Sequence, residues 1–484
     1  MRYLALPIVL LALPLTAYAG NIKDTDLITS NTFFLPPSIQ KGHKAWPKLT
    51  SREEFRFLAD LVLKHSTGDH TLVSLHDQQS GTTRFANNHI VQNVDTRRGS
   101  LRVTVAFGRR HGTAGTTDFT AGAVQETVAR AAQIARLSPD DPEYLPPVEP
   151  QHYLTTPTTR PETAVAGPAR RLEYTNEAIG QCRMENLGAA GIVSSSVGTV
   201  GVASSSGLFA HEERTDARFS LTVHAGEATG WAAAAHRSID HLKVQERTLA
   251  AIGKAKRGLE ARELPPGRYT VILEPAAVAG LWYALFRTLD AKSYEKGTSV
   301  FSGKLGQVIV DKRLTLRNMP AHEDLLGMGF TSEGLPTVAS DWITEGALAQ
   351  LAHDRFTAKE RGIDTIPTLD APCLSGRGSS LPTLQELIKN AERAILVTNF
   401  WYIRTVNPTD LTLTGMTRDG TFLVEKGEIV SAVKNFRFHE SPLRVFNQVA
   451  AFTDPSEAIT SETGKLLVPA MTLRDFHFSS VTRF

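Results

Sequence analysis

Apolar residues recur at helical spacing in "SREEFRFLADLVLKHS", where Phe55, Leu58, Leu61 and Val62 share one face of a 3.6-residue repeat. Ser51 and Glu54, three apart, make a capping box, so an amphipathic helix is predicted to begin there. The period then changes: "HTLVSLHDQQ", "TTRFANNHIVQNVDTRRG" and "SLRVTVAFGRRHGTAGTT" alternate between apolar and polar positions and are separated by Gly and polar turns, as in a β-meander. "TAGAVQETVARAAQIARLS" returns to helical spacing through Val124, Val128, Ala131 and Ile134. Residues 51–137 therefore read as one unit of mixed α and β structure.

Periodicity stops in the Pro-rich, polar stretch 138–160, which reads as a linker. Residues 161–264 repeat the plan of the first unit, with a helix around "PARRLEYTNEAIGQCRME" and then a Gly- and Ser-punctuated meander, "AAGIVSSSVGTVGVASSSGLFAHEERTDARFSLTVHA". A third unit, 265–484, opens with the strand-like "RYTVIL" and the helical "EPAAVAGLWYALFRTL". It continues with strand and turn signals, among them "DGTFLVEKGEIVSAVKNF", a hairpin with a Lys-Gly turn. In "NFWYIRTVNP", Phe400 and Trp401 are predicted to be core residues and Asn407-Pro408 a turn. The fold class is α+β: two units of helix plus β-meander, then a β-rich C-terminal domain.

The N-terminus changes the picture of where the protein works. "MRYLALPIVLLALPLTAYAGN" has one Arg, an apolar run from Leu4 to Leu15, and Ala17-Tyr18-Ala19 in the small-x-small pattern of a signal-peptidase site. Residues 1–19 are read as a signal peptide cleaved after Ala19, since the run is shorter than the roughly 20 residues of a bilayer span and holds two prolines. A Pro-rich entry segment, 20–50, follows, and the mature protein is expected to be periplasmic or secreted. A net charge of +2, with acids and bases interspersed and no basic block with interleaved aromatics, argues against a nucleic-acid surface. Only two cysteines, Cys182 and Cys373, are present, so there is no disulfide framework; two buried thiols are the simplest reading, and a single bridge stays open.

No catalytic motif stands out. A zinc peptidase needs two His on one helix face and a Glu to activate water, yet "HEERTD", "HEDLLG" and "HESPLR" all lack a second His at a helical return. His236 and His241 are five apart, which splays them around a helix. The Ser-rich meander has no Gly-x-Ser-x-Gly elbow, and "VFSGKLGQ" lacks the spacing of a phosphate loop and reads as a tight turn. His211, Glu212 and Glu213 offer an acid and base cluster, against the simpler reading of a charged strand end in water.

The order and spacing of several segments resemble the TldD/TldE (PmbA) family of metalloprotease-related proteins. "RFANNHI" followed by "SLRVTVAFGRRHGTAGTTDFT" is similar to its N-terminal signature. "VFSGKLGQVIVDKRLTL", "SEGLPTVASDWITEGALAQLAHDRFTAKERG" and "NFWYIRTVNPTDLTLTGMTRDGTFLVEKGEIVSAVKNF" are similar to successive parts of its C-terminal domain. The resemblance runs from about Glu53 to the C-terminus and implies a barrel-like C-terminal domain.

Catalytic members of that family carry His-Glu-x-x-x-His on the helix after the third unit's first strand, and a further Cys ligand near the C-terminus. The matching positions here are Trp282, Tyr283 and Arg287, with the Cys position near Thr460. The resemblance therefore implies the TldE type: no cofactor in this chain, zinc only in a TldD-like partner, and flexible peptides as substrate. Trp282, Tyr283 and Arg287, together with Ser332, Glu333, Gly334 and Asn407, are the candidates for a cleft or an interface, against the simpler reading of Trp282, Tyr283, Leu285 and Phe286 as a packed core or interface helix. Two other readings stay open, a stand-alone peptide-binding or scaffold homodimer and a hydrolase with a rearranged site.

Overall fold

A computed structural model describes residues 48–460 and 464–482, so the predicted signal peptide and most of the entry segment lie outside the described residues. Helix α1 (Arg52–His65) begins at the predicted capping box: the Ser51 hydroxyl accepts from the Glu54 amide at 3.2 Å, and the Glu54 carboxylate accepts from the Ser51 amide at 2.7 Å. Its buried face is Phe55, Leu58, Ala59 and Val62. Strands β1 (His70–Ala86), β2 (His89–Phe107) and β3 (Arg110–Thr116) form the meander, and α2 (Ala121–Leu137) closes the unit. In α2 the buried stripe runs through Val124, Val128, Ala131, Ala132 and Ala135, while Ile134, expected on that face, is exposed. The run of alanines draws the helix onto the sheet at a rotation that leaves Ile134 at its margin.

The second unit repeats this order with α3 (Pro168–Met184), β4 (Gly188–Ser204), β5 (Phe209–Ala225), β6 (Ala228–His236) and α4 (Val244–Arg257). In both units the third strand passes directly under the second helix at a glycine. A Cβ on Gly112 of β3 would lie 2.3 Å from the Ala135 amide, and one on Gly230 of β6 would lie 2.1 Å from the Ala251 carbonyl oxygen. Only a residue without a side chain allows so close a crossing. The two units are not separate layers. Strand β1 pairs antiparallel with β4 from Leu72↔Ser204 to Phe85↔Gly191, giving one six-stranded sheet in the order β3-β2-β1-β4-β5-β6. Residues 145–160 between the units have no helix or strand.

The C-terminal part contains β7 (Gly267–Leu273), α5 (Pro275–Phe286), β8 (Leu314–Asn318), β9 (Ser340–Thr344), β10 (Ala347–Leu348) and β11 (Pro372–Gly376). It continues with β12 (Arg393–Asn407), β13 (Thr412–Glu425), β14 (Glu428–Ala432), β15 (Phe436–Glu440), β16 (Val449–Phe452), β17 (Ser456–Thr460), β18 (Gly464–Val468) and β19 (Met471–Val481). Strands β12, β7, β19, β15 and β13 pair in turn and β13 returns to β12, which closes a five-stranded barrel. A second sheet, β10-β9-β8-β11-β18-β17, lies beside it. The predicted hairpin is β13–β14, with Lys426 (φ 52°) and Gly427 (φ 82°) both left-handed, the backbone that a two-residue hairpin turn needs. Cys182 and Cys373 are both buried free thiols, and burial pushes both thiol pKa values up.

Candidate functional site

Helix α5 begins where β7 leaves the barrel. Glu274 is its N-cap by position, with Pro275 in the first turn. The Glu274 carboxylate caps nothing. It accepts instead from Lys254 Nζ at 2.6 Å and from the Thr398 hydroxyl at 3.1 Å, which ties α5 to α4 and to β12. Ala277, Val278, Ala279, Gly280, Leu281, Trp282 and Leu285 are all buried, so α5 is apolar nearly all round and lies inside the domain. It packs on β17 and β18, and Ala458 of β17 belongs to the same core as Trp282. The elements bearing Trp282, Tyr283, Arg287 and Thr460 are thus neighbours.

The three matching helix positions part company in space. Trp282 is fully buried and stacked on Phe446, ring centroids 4.8 Å apart, so it belongs to the core and lines no cleft. Its indole N–H has no hydrogen-bond partner among the described residues. Tyr283 and Arg287 stay together, the guanidinium carbon 5.6 Å from the ring centroid, and line a cavity of about 540 Å³ with Gly280, Asp290, Ile403 and Arg404. Asn407 ends β12 at the turn beside it, and its side-chain oxygen accepts from the Thr409 amide and hydroxyl. Beyond Val397, β12 has left its partner β7 and, among the described residues, pairs only with β13. One backbone edge of β12 therefore runs past this cavity without a neighbouring strand.

A catalytic zinc does not fit this donor set. The Trp282 indole has no lone pair to give, the Arg287 guanidinium is a permanent cation, and the described residues hold no group of three His, Cys, Asp or Glu side chains placed to share a metal.

Other expected candidates fall elsewhere. Ser332, Glu333 and Gly334 form a turn, with the Gly334 amide donating to the Thr331 carbonyl and the Tyr153 hydroxyl donating to the Gly334 carbonyl at 2.8 Å. Glu333 lies 3.8 Å from Arg355 and lines a different depression, with His111 and Asp141. It does not join Tyr283 and Arg287. Trp401, expected in the core, is 45 % exposed with the Arg418 guanidinium over its ring, while Phe400 is buried against Phe438 and Phe476. Adjacent strand residues point to opposite faces, so one of the pair had to turn outward.

The same alternation dissolves the His211, Glu212 and Glu213 cluster. His211 faces the helix side, 3.3 Å from the Thr50 carbonyl, and burial lowers its pKa. Glu213 is exposed, and Glu212 points to the opposite face. There Glu212 accepts from the Gly329 amide at 2.8 Å, near Arg237 and Arg214, with burial pushing its pKa up. Asp370, also raised by burial, accepts from the Met328 amide at 2.6 Å, and the Arg237 guanidinium donates to the Gly327 and Thr158 carbonyls. Pairing hid this network in the sequence, because its members, Thr158, Glu212 with Arg214, Arg237, the loop Gly327–Gly329 and Asp370, come from five separate segments. It fastens the loop Gly327–Gly329 to the central sheet.

His236 and His241 are likewise not splayed on a helix. His236 ends β6 and His241 sits in the short 3₁₀ turn Ile239–Leu242, so their rings stack with centroids 4.3 Å apart. They line a cleft of about 530 Å³ with His322, Asp324, Glu457 and Lys465. Burial, with Lys465 and His241 nearby, lowers His236 to about 4.

Three family models cover the described fold in order. They are PmbA/TldA metallopeptidase domain 1 over residues 73–135, the central domain over 161–258 and the C-terminal domain over 266–480. The chain belongs to the PmbA/TldD metallopeptidase family. Among family relatives, a metalloprotease from Methanothermobacter thermautotrophicus is 25 % identical over 189 residues; the match covers 36 % of this chain and spans less than half of that relative, 42 % of its length. The fold matches TldE from Thermococcus kodakarensis with a TM-score of 0.80 at 19 % identity, over 88 % of this chain and 100 % of that one. It also matches a candidate modulator of DNA gyrase from Thermotoga maritima, TM-score 0.77 at 16 % identity, over 87 % of this chain and 99 % of that one.

Proposed function

We propose that this chain is the non-catalytic, TldE-like subunit of an exported two-chain metallopeptidase system that acts on flexible peptides. The observation that carries the reading is the chemistry of α5: where the family's catalytic type places its His-Glu-x-x-x-His, this chain has a core tryptophan stacked on Phe446 and an arginine over a tyrosine. Zinc and the water it activates then come from the partner chain, and this subunit contributes binding surface. The part of β12 beyond Val397, which pairs with β13 alone among the described residues and runs beside Tyr283 and Arg287, supports a peptide-handling role, since an extended peptide binds by adding a strand to a sheet edge.

Metal content tests the reading directly. The purified chain, dialysed at neutral pH, is expected to hold zinc far below one per chain in elemental analysis, and stoichiometric zinc overturns the proposal. Export is tested separately. Mass spectrometry of the mature protein is expected to find an N-terminus at Gly20, and a chain that retains Met1 in the cytoplasmic fraction refutes the exported location.

A further inference from the structure

The cavity of about 540 Å³ between α5 and the end of β12 holds two donors that the fold leaves unused. Tyr283 and Arg287 are four positions apart, so they share one face at the last turn of α5, and both line the cavity. The Arg287 guanidinium is exposed and makes no hydrogen bond or ion pair among the described residues. Its charge is favoured instead by the C-terminal end of α5 and by the face of the Tyr283 ring, 5.6 Å away. No ion pair has to break when a ligand arrives. The Tyr283 hydroxyl likewise has no partner among the described residues, and it keeps contact with solvent.

The other polar groups of the cavity are already engaged. Asp290, the one acid among its lining residues, is the N-cap of the short helix Ala291–Glu295, and its carboxylate accepts from the Lys292 and Ser293 amides at 3.3 and 2.9 Å. The hydroxyls of Thr288, Thr298 and Ser299 donate to backbone carbonyls. Arg404 lines the β12 side with its guanidinium over the Tyr402 ring, and Val300, Ile403, Leu411 and Leu413 make the walls apolar. The free donors at Tyr283 and Arg287 therefore call for an acceptor, and for a planar one, since a guanidinium offers paired N–H groups that match both oxygens of a carboxylate.

We propose that this cavity receives a carboxylate of an extended peptide, its C-terminus or an Asp or Glu side chain, with Arg287 taking both oxygens and the Tyr283 hydroxyl donating a further hydrogen bond. The backbone of that peptide lies along the part of β12 beyond Val397, which pairs with β13 alone among the described residues, and its neighbouring side chains cover the apolar walls. Resting on the peptide-handling reading above, the site adds a preference to it: peptides that present a negative charge bind ahead of neutral ones. Arg287 is then the residue that sets the specificity.

Calorimetric titration of the mature full-length protein at low salt tests it, with three N-acetylated hexapeptides of Gly, Ser and Ala as probes: one with a free C-terminal carboxylate, its C-terminal amide, and an amide with one internal Glu. Saturable binding is expected for the two acidic peptides, with the neutral amide weaker by about ten-fold or more, the scale of one charge-assisted hydrogen bond. Tighter binding of the free acid assigns the seat to the peptide C-terminus, and tighter binding of the Glu amide assigns it to acidic side chains. Arg287→Gln is expected to bring the acidic peptides down to the affinity of the neutral one with Tm nearly unchanged, and Tyr283→Phe to weaken them by about three-fold, the loss of one neutral hydrogen bond. Arg287→Glu is expected to reverse the preference toward an amide peptide carrying one Lys, a change that a loss of packing does not produce. Equal binding of acidic and neutral peptides, or a preference for acidic peptides that survives in Arg287→Gln, overturns the carboxylate seat alone, since zinc content tests the subunit reading independently. No binding of any of the peptides overturns the seat and also counts against peptide handling by this chain.

Discussion

Cleavage of an unstructured peptide is expected only when this chain is mixed with a zinc-bearing relative from the same source, and a chelator is expected to abolish it. Among the described residues no three His, Cys, Asp or Glu side chains are placed to share a metal ion that could activate water. On the proposed reading Trp282 and Arg287 occupy the ligand positions, and the His-Glu-Glu run at His211 is divided between two sheet faces. The expected contrast is all-or-none: background turnover for either subunit lacking its partner, and chelator-sensitive turnover with co-elution in the mixture. Cleavage by this chain alone, unaffected by chelator, refutes the proposal and favours a hydrolase with a rearranged site. Co-purification with itself only, with peptide binding and no cleavage, favours a homodimeric binding protein. Arg287→Glu, at a position lining the cavity beside β12, serves as the surface variant for these assays, since Trp282 is interior and its replacement reports on folding.

Trp282→Ala is expected to cost about 3–5 kcal/mol of stability, the range for emptying the site of a large buried aromatic side chain. The indole is fully buried and stacked on Phe446, and α5 is held by β17, β18 and the barrel, so the surroundings have little freedom to collapse into the void. Urea unfolding of the two proteins measures the difference. Trp282→Phe separates packing from polarity. It keeps most of the apolar volume and removes an indole N–H that has no partner among the described residues, so a cost below about 1.5 kcal/mol is expected. A change of less than about 1 kcal/mol for the alanine variant contradicts the reading of α5 as a core element refilled with apolar volume.

Local rules carried far in this sequence. The Ser51 and Glu54 cap, the left-handed Lys426-Gly427 turn and the strand that precedes α5 all depend on residues within a few positions of one another, and each was legible. So was the repeated plan of helix and meander. What was not legible required knowing which face of a strand a residue takes or which distant segment it meets. Phe400 and Trp401 look equally apolar in one dimension, and only register on β12 sends one inward and the other toward Arg418. Glu212 looked like a partner for its neighbour His211, and its actual neighbours, Arg237 and the loop at Gly329, lie far along the chain. The two stacked histidines escaped because the spacing rule assumed a helix where the chain makes a strand end and a 3₁₀ turn.

The long β1–β4 pairing sets an order of events on the nascent chain. Residues 72–85 find their second neighbour only in residues 191–204, so after the first meander has formed, one edge of β1 waits while the intervening chain is made. Pairings of such wide separation form slowly, and an open edge of this length is a template for pairing with another chain. Until the second repeat arrives the first presents that edge to other chains, and a product truncated before Gly191 is expected to retain it.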